Sequence, residues 1–263
     1  MNKEEFLEMR KEFGELVVNF DRFQKDCFIL DLNYNLAFYD VLHPIRELEL
    51  ETFILSQALE MKEKNEKEED ITKYLDRVSE QFADENLRAE NKNNYAKQVI
   101  GYTSRLSKED RLEVENIYAD FMIENHPVVN LLNSQEAKNA YEIIKKFYME
   151  SNLLGLKEIL DVQKKFLAHE DVNDEAEFVK YSQVYFETRQ KITSSFNKQS
   201  KEYPMNKKPV FNDEMSIERE HDELKLHMKK EKEKNNEMHN HFIEVFGKDY
   251  SITRGWELAQ SEA

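Results

Sequence analysis

The residues of this chain that could do chemistry fall into three groups: C-terminal histidines among carboxylates, a single cysteine, and a mid-chain histidine–proline pair. Glu218 and His221 stand in a Glu-x-x-His arrangement, the spacing that di-iron helical bundles use to aim two ligands from one helix. Such a centre also needs a second Glu-x-x-His and two further glutamates on facing helices, and the sequence has no second pair. His239 and His241 are two apart, so on a helix they point to different sides; Glu237 and His241, one turn apart, make an ordinary surface pair. No metal ligand is therefore predicted. Cys27, the only cysteine, falls on an apolar stripe and reads as a buried, inert thiol. The sequence has no glycine-rich phosphate loop, no Gly-x-Ser-x-Gly and no Cys-x-x-Cys. No catalytic or cofactor-binding residue and no cofactor are predicted. That leaves His126-Pro127-Val128, set between two strongly helical segments.

The elements that must position that tripeptide are helices. With 5 Gly and 4 Pro in 263 residues, the chain lacks the punctuation of a sheet-rich fold. Its 17 Phe and 12 Tyr supply the apolar area that a disordered polyelectrolyte would lack. Phe6, Met9, Phe13, Leu16, Phe20, Phe23, Cys27, Leu30, Tyr34, Ala37 and Val41 advance by threes and fours, one stripe along one helix. Pro44 predicts a kink or a restart there. A second helix runs through Ile45, Leu48, Leu55 and Leu59 into the wholly polar Lys62 to Asp70, a hairpin turn or an exposed helix tip. A stripe resumes at Ile71, Leu75, Val78 and Phe82, and 101 to 107 reads as a linker.

Ser107 and Asp110 have capping-box spacing and predict a helix over 108 to 125. Ser134 caps the next helix, and 153 to 167 forms another. A further helix covers about 174 to 198, 203 to 211 is a loop, and a last long helix covers about 213 to 246 with Gly247 as its cap. The fold class is all-α: a long helical hairpin or coiled-coil-like stalk (1–100), a helical unit (106–168) and a C-terminal helical extension with a flexible tail (169–263). Trp256, in that tail, is a candidate partner anchor.

The stretch from Leu106 to about Leu160 resembles a J-domain, in which two antiparallel helices are joined by a loop beginning His-Pro-Asp. The residues that carry the resemblance are Leu106-Ser107-Lys108-Glu109, the helix end from Tyr118 to Asn130, and Ala137 and Tyr141 in the second helix. Asn35 to Leu55 is similar to the helical stretch that precedes the module in one bacterial group. The resemblance implies a loop that contacts a DnaK-type chaperone and stimulates its ATP hydrolysis, with His126, Pro127 and Val128 as partner-binding positions. Two departures oppose that activity. Val128 stands where the family has Asp and offers neither charge nor acceptor. The helix before it carries Lys108 and Arg111 against Glu109, Asp110, Glu113, Glu115, Asp120 and Glu124, whereas the family's docking helix is basic.

The net charge of −16 disfavours phosphate backbones and hence nucleic acid. No apolar run approaches the ~20 residues that span a bilayer, and the N-terminus lacks a secretory signal, so a soluble cytoplasmic protein without membrane contact is expected. The expected function is non-enzymatic: an interaction or scaffold protein on a J-like module without His-Pro-Asp. Its expected partner is another protein, either a DnaK-type chaperone or a second copy paired through the heptad stripe. The alternatives are an active co-chaperone with a drifted docking surface, a metal-dependent helical enzyme using Glu218 and His221, and an acidic protein that neutralises a basic partner.

Overall fold

The computed structural model describes residues 2–168, 171–253 and 255–257, the side chains of 256 and 257 excepted. Among these residues the chain forms seven α-helices: α1 Lys3–Glu63, α2 Glu68–Thr103, α3 Lys108–Asn125, α4 Gln135–Met149, α5 Leu153–Gln163, α6 Glu175–Gln199 and α7 Glu214–Phe246. Short 3-10 turns follow at Lys164–Phe166 and Met205–Phe211, and β1 (Asp249–Ser251) pairs antiparallel with β2 (Gly255–Glu257). The fold is all-α, as expected. None of the described helices is long and apolar enough to cross a membrane.

Local chemistry sets most of the boundaries. At α3, Ser107 Oγ accepts from the Asp110 N–H while the Asp110 carboxylate accepts from the Ser107 N–H, so both arms of the capping box form. Ser134 caps α4 through the Ala137 N–H, and Asp174 caps α6 through the Ala176 N–H. Gly247 closes α7 at φ 68°, a backbone conformation that costs a side-chain-bearing residue energy.

Four expectations change. Pro44 neither stops nor restarts its helix, for α1 runs unbroken through it. One lost hydrogen bond is offset by packing on both sides of it, where Val41 and Ile45 are buried. The linker begins later than expected, because α2 continues to Thr103. The 203–211 loop carries a 3-10 turn over Met205–Phe211 after a cis Tyr203–Pro204 bond. The C-terminal segment, expected to be a flexible tail, opens with the β1–β2 hairpin, whose Tyr250 hydroxyl donates to the Leu75 carbonyl (2.8 Å).

Packing divides the chain differently from the three consecutive stretches expected. One compact unit joins residues 1–33 to 98–208, and the other joins 34–97 to 209–263. In the first unit, α3, α4 and α5 share a core that includes Tyr118, Met122, Ile144, Tyr148 and Leu156. Phe13 and Val17 of α1 pack with Val129 and with Tyr185 of α6. Phe6 stacks on Phe178 at 4.5 Å between ring centres. In the second unit α1 and α2 form an antiparallel hairpin turning over residues 64–67, which resolves the polar run as a turn. Leu55 and Leu59 meet Ile71 and Leu75 there, with Phe242 of α7 and Tyr250 completing the core.

The α1 stripe is spent on these two cores. Phe6, Phe13, Phe23, Tyr34 and Val41 are all buried within the chain, Met9, Leu16, Phe20, Cys27 and Leu30 are half-buried, and Ala37 is exposed.

Candidate functional site

α3 ends at Asn125, and His126 leaves the helix with ψ 131°, the extended conformation that a following proline enforces. The loop then turns tightly: Val129 and Asn130 donate to the His126 carbonyl, and Leu132 donates to the Pro127 carbonyl. α4 returns along α3. Tyr118 stacks on Tyr148 at 3.7 Å, and the His126 ring meets Tyr141 edge-on at 4.5 Å. Position 118 therefore sits by 148 and position 126 by 141, so α3 and α4 run antiparallel.

The loop itself faces inward. His126 is 3% exposed, Pro127 is buried and Val129 is fully buried; of these first four residues only Val128, at 38%, reaches the surface. α6 holds the loop by its backbone, with Tyr185 donating to the Val129 carbonyl (2.6 Å) and Tyr181 to the Asn130 carbonyl (3.3 Å). From α1, Arg10 donates to the Asn130 side-chain oxygen. The partner-binding role expected of His126 and Pro127 meets little exposed surface, for both are buried and only line the floor of a cleft shared with Val128, Tyr141 and Lys180.

What His126 touches is a buried carboxylate. Its Nδ1 accepts from the Val128 N–H (3.1 Å), which leaves the ring proton on Nε2, 3.6 Å from Asp21 Oδ2 of α1. Nε2 is buried and lies outside hydrogen-bond reach of any described residue. Asp21, 2% exposed, accepts from the Tyr118 hydroxyl (2.7 Å), the Tyr141 hydroxyl (2.9 Å) and Lys145 Nζ (3.0 Å). Burial alone would raise this carboxyl, but His126, Lys145 and Tyr118 outweigh it and hold Asp21 down at about 2. Burial and the Asp21 charge push the Tyr118 and Tyr141 hydroxyls well above the usual range, so both stay protonated donors.

A second knot lies beside the first. Glu115 of α3 accepts from Lys25 (2.7 Å) and Arg22 (3.1 Å) of α1 and from the Tyr148 hydroxyl (2.7 Å). Burial would raise Glu115, and Lys25 leads the contacts that bring it below its ordinary value. Lys25 also lies 4.2 Å over the Tyr148 ring. One of the acidic residues that make α3 unlike a basic docking helix is thus turned inward to grip α1. Glu113 pairs with Lys157 of α5 (2.6 Å).

Gly14 makes the close approach possible. A methyl group at this position of α1 would collide with the Ile123 carbonyl oxygen of α3, so the two backbones touch one turn before the loop. Neither Gly14 nor Asp21 stands out by sequence motif. The available signal was weak: a glycine and an aspartate inside an otherwise continuous helical pattern, each a residue that such a helix has no local reason to hold.

The remaining candidates are dispersed. Trp256 belongs to the second unit, in β2 opposite Tyr250, and its side chain lies outside the described residues. His221 sits beside Asp40 of α1 (3.2 Å), and His241 beside Glu244 instead of Glu237. His239 is held between Glu51 Oε2 (3.3 Å) and Asp249 Oδ1 (2.7 Å). Its contact with Glu51 is the main cause that raises it to about 9, with burial opposing and Asp249 adding. Cys27 is half-buried, and its thiol is pushed up first by burial and then by Asp26, which makes it a weak nucleophile. Compared with family models, curated proteins and solved structures, the chain matches none of them.

Proposed function

We propose that this chain is a non-enzymatic interaction or scaffold protein, in which the His-Pro-Val turn is a clasp that fastens the α3–α4 pair to α1 and not a contact for a chaperone. The observation that carries this reading is the burial of His126 and Pro127 under α1 and α6, with Asp21 filling the space before the imidazole. The J-like resemblance is compatible with it, since the antiparallel helices and the proline-bounded turn serve shape alone. One further feature supports a binding role. Val179 and Phe186, seven residues apart on α6, are each 63% exposed, and solvent-facing apolar side chains at helical spacing are what a protein partner covers.

The test is ATP turnover by a DnaK-type chaperone in the presence of the purified full chain. The expected outcome is no stimulation, both for the wild type and for Val128→Asp, which restores the acidic position at the one exposed residue of the turn. Stimulation by the wild type that disappears in a folded His126→Gln variant overturns the reading in favour of an active co-chaperone.

A further inference from the structure

In the second unit, α7 lies along α1 through a seam whose positions advance by threes and fours: Leu224, Met228, Glu231, Asn235, Met238. Two of these are polar. Among the described residues α7 buries none between Glu220 and Asn235, so this part of the seam lacks an apolar core. Here Glu49 of α1 meets His227 and Glu231 of α7, the latter two one helical turn apart. One donor atom from each of the three lies within 4.8 Å of the others, and His227 Nε2 is 3.3 Å from Glu49 Oε1.

Two features separate this cluster from scattered surface charge. First, Glu231 occupies a seam position and its side chain is only 14% exposed, although the α1 residue beside it is another carboxylate. Two carboxylates held this close repel unless a cation stands between them. Lys234 reaches Glu231 at 3.4 Å from the solvent side, and His227 stands on the Glu49 side. Second, the spacing matches a tetrahedral ion. Bonds of about 2.0–2.2 Å to nitrogen and oxygen place neighbouring ligand atoms roughly 3.3–3.5 Å apart, the distance already found between His227 and Glu49.

We propose that Glu49, His227 and Glu231 bind a divalent transition metal of the zinc class. Water completes the coordination, and the ion pins α7 to α1 where apolar packing is missing. One imidazole and two carboxylates suit such an ion; magnesium and calcium call for more oxygen ligands than converge here. The competing explanation is that His227 and Lys234 satisfy the two carboxylates without an ion.

The experiment is calorimetric titration of zinc chloride into the chelator-stripped full chain, with cobalt(II) absorption as the reporter of tetrahedral geometry. The wild type is expected to take up one ion, with an unfolding midpoint that rises in excess zinc. Loss of a single outer-sphere partner already costs a metal site about 10–100-fold in affinity. His227→Ala and Glu231→Gln should therefore weaken binding by at least about 10-fold and abolish the thermal shift, while His241→Ala leaves both unchanged. Circular dichroism identifies any variant that has merely unfolded. Zinc uptake by His227→Ala equal to that of the wild type, or no uptake by the folded wild type, overturns the proposal and leaves the side chains of His227 and Lys234 to satisfy the two carboxylates.

Discussion

In the first unit, the carboxylate at the centre of the ties between α1 and the later helices is sealed from water. The Asp21 side chain is 3% exposed and is met by two tyrosine hydroxyls and a lysine. In the second unit, beside buried hydrogen bonds from Tyr34 to Glu220 and from Asn235 to Thr52, the ties are histidine–carboxylate rungs. His221 and Asp40 are 28% and 68% exposed, and His227 and Glu49 are 46% and 50% exposed. Only His239, with Glu51, approaches enclosure, at 18% and 15%. The same kind of chemistry, a carboxylate facing a nitrogen, does different physical work in the two places. Where water is excluded, each charge depends on its partner; where water reaches both, each is nearly content alone.

The contrast is sharpest when a partner is removed. Asp21→Ala takes the acceptor from the buried Tyr118 hydroxyl and from half-buried Tyr141 and Lys145, the last keeping Gln24, a loss of about 3 kcal/mol by the measure of broken buried pairs. Urea unfolding of the variant should show it, with hydrogen exchange accelerating in α3, α4 and α6.

Next in size is an opposite response to pH. The depressed Asp21 carboxyl adds stability that is present above its ordinary value near 4 and is lost as pH falls towards about 2. The raised His239 adds stability that is complete below its ordinary value near 6.5 and is lost as pH rises through about 9. Hydrogen exchange between pH 7 and pH 9.5, corrected for its intrinsic pH dependence, should therefore quicken at the C-terminal end of α7 while the α3–α4 turn keeps its protection. Equal loosening of both regions would show that His239 does not hold α7.

The smallest effect is expected of Asp40→Ala, which removes one exposed rung and should cost less than about 1 kcal/mol. A loss from Asp40→Ala as large as that from Asp21→Ala would mean that burial is not what separates the two units.

How far this could be read beforehand follows the range of the interaction. Ser107, Ser134 and Gly247 act on groups within three or four residues, and each boundary they implied is present. Pro44 was misread for the same reason: the local rule was right, but the packing of Val41 and Ile45 answers to distant helices. The α1 stripe showed that a face must be covered but not by what. The clasp escaped altogether, because Asp21 lies 97 residues from Tyr118 and 124 from Lys145, and no periodicity connects them. Nor could a motif that is exposed in the family it resembles announce that here its histidine faces a carboxylate inside the protein. The cluster at Glu49, His227 and Glu231 is not legible in the sequence because its residues lie on two helices whose register only the fold sets.

Each compact unit is assembled from an early and a late stretch of the chain, 1–33 with 98–208 and 34–97 with 209–263. A ribosome adds about 5–20 residues per second, so Phe6 and Phe13 wait on the order of ten seconds for α6 to be synthesised. Throughout that interval the longest helix of the protein carries an uncovered row of aromatic rings. Newborn chains should accordingly be sticky and slow to settle, and their yield should fall as expression is driven harder or the temperature is raised.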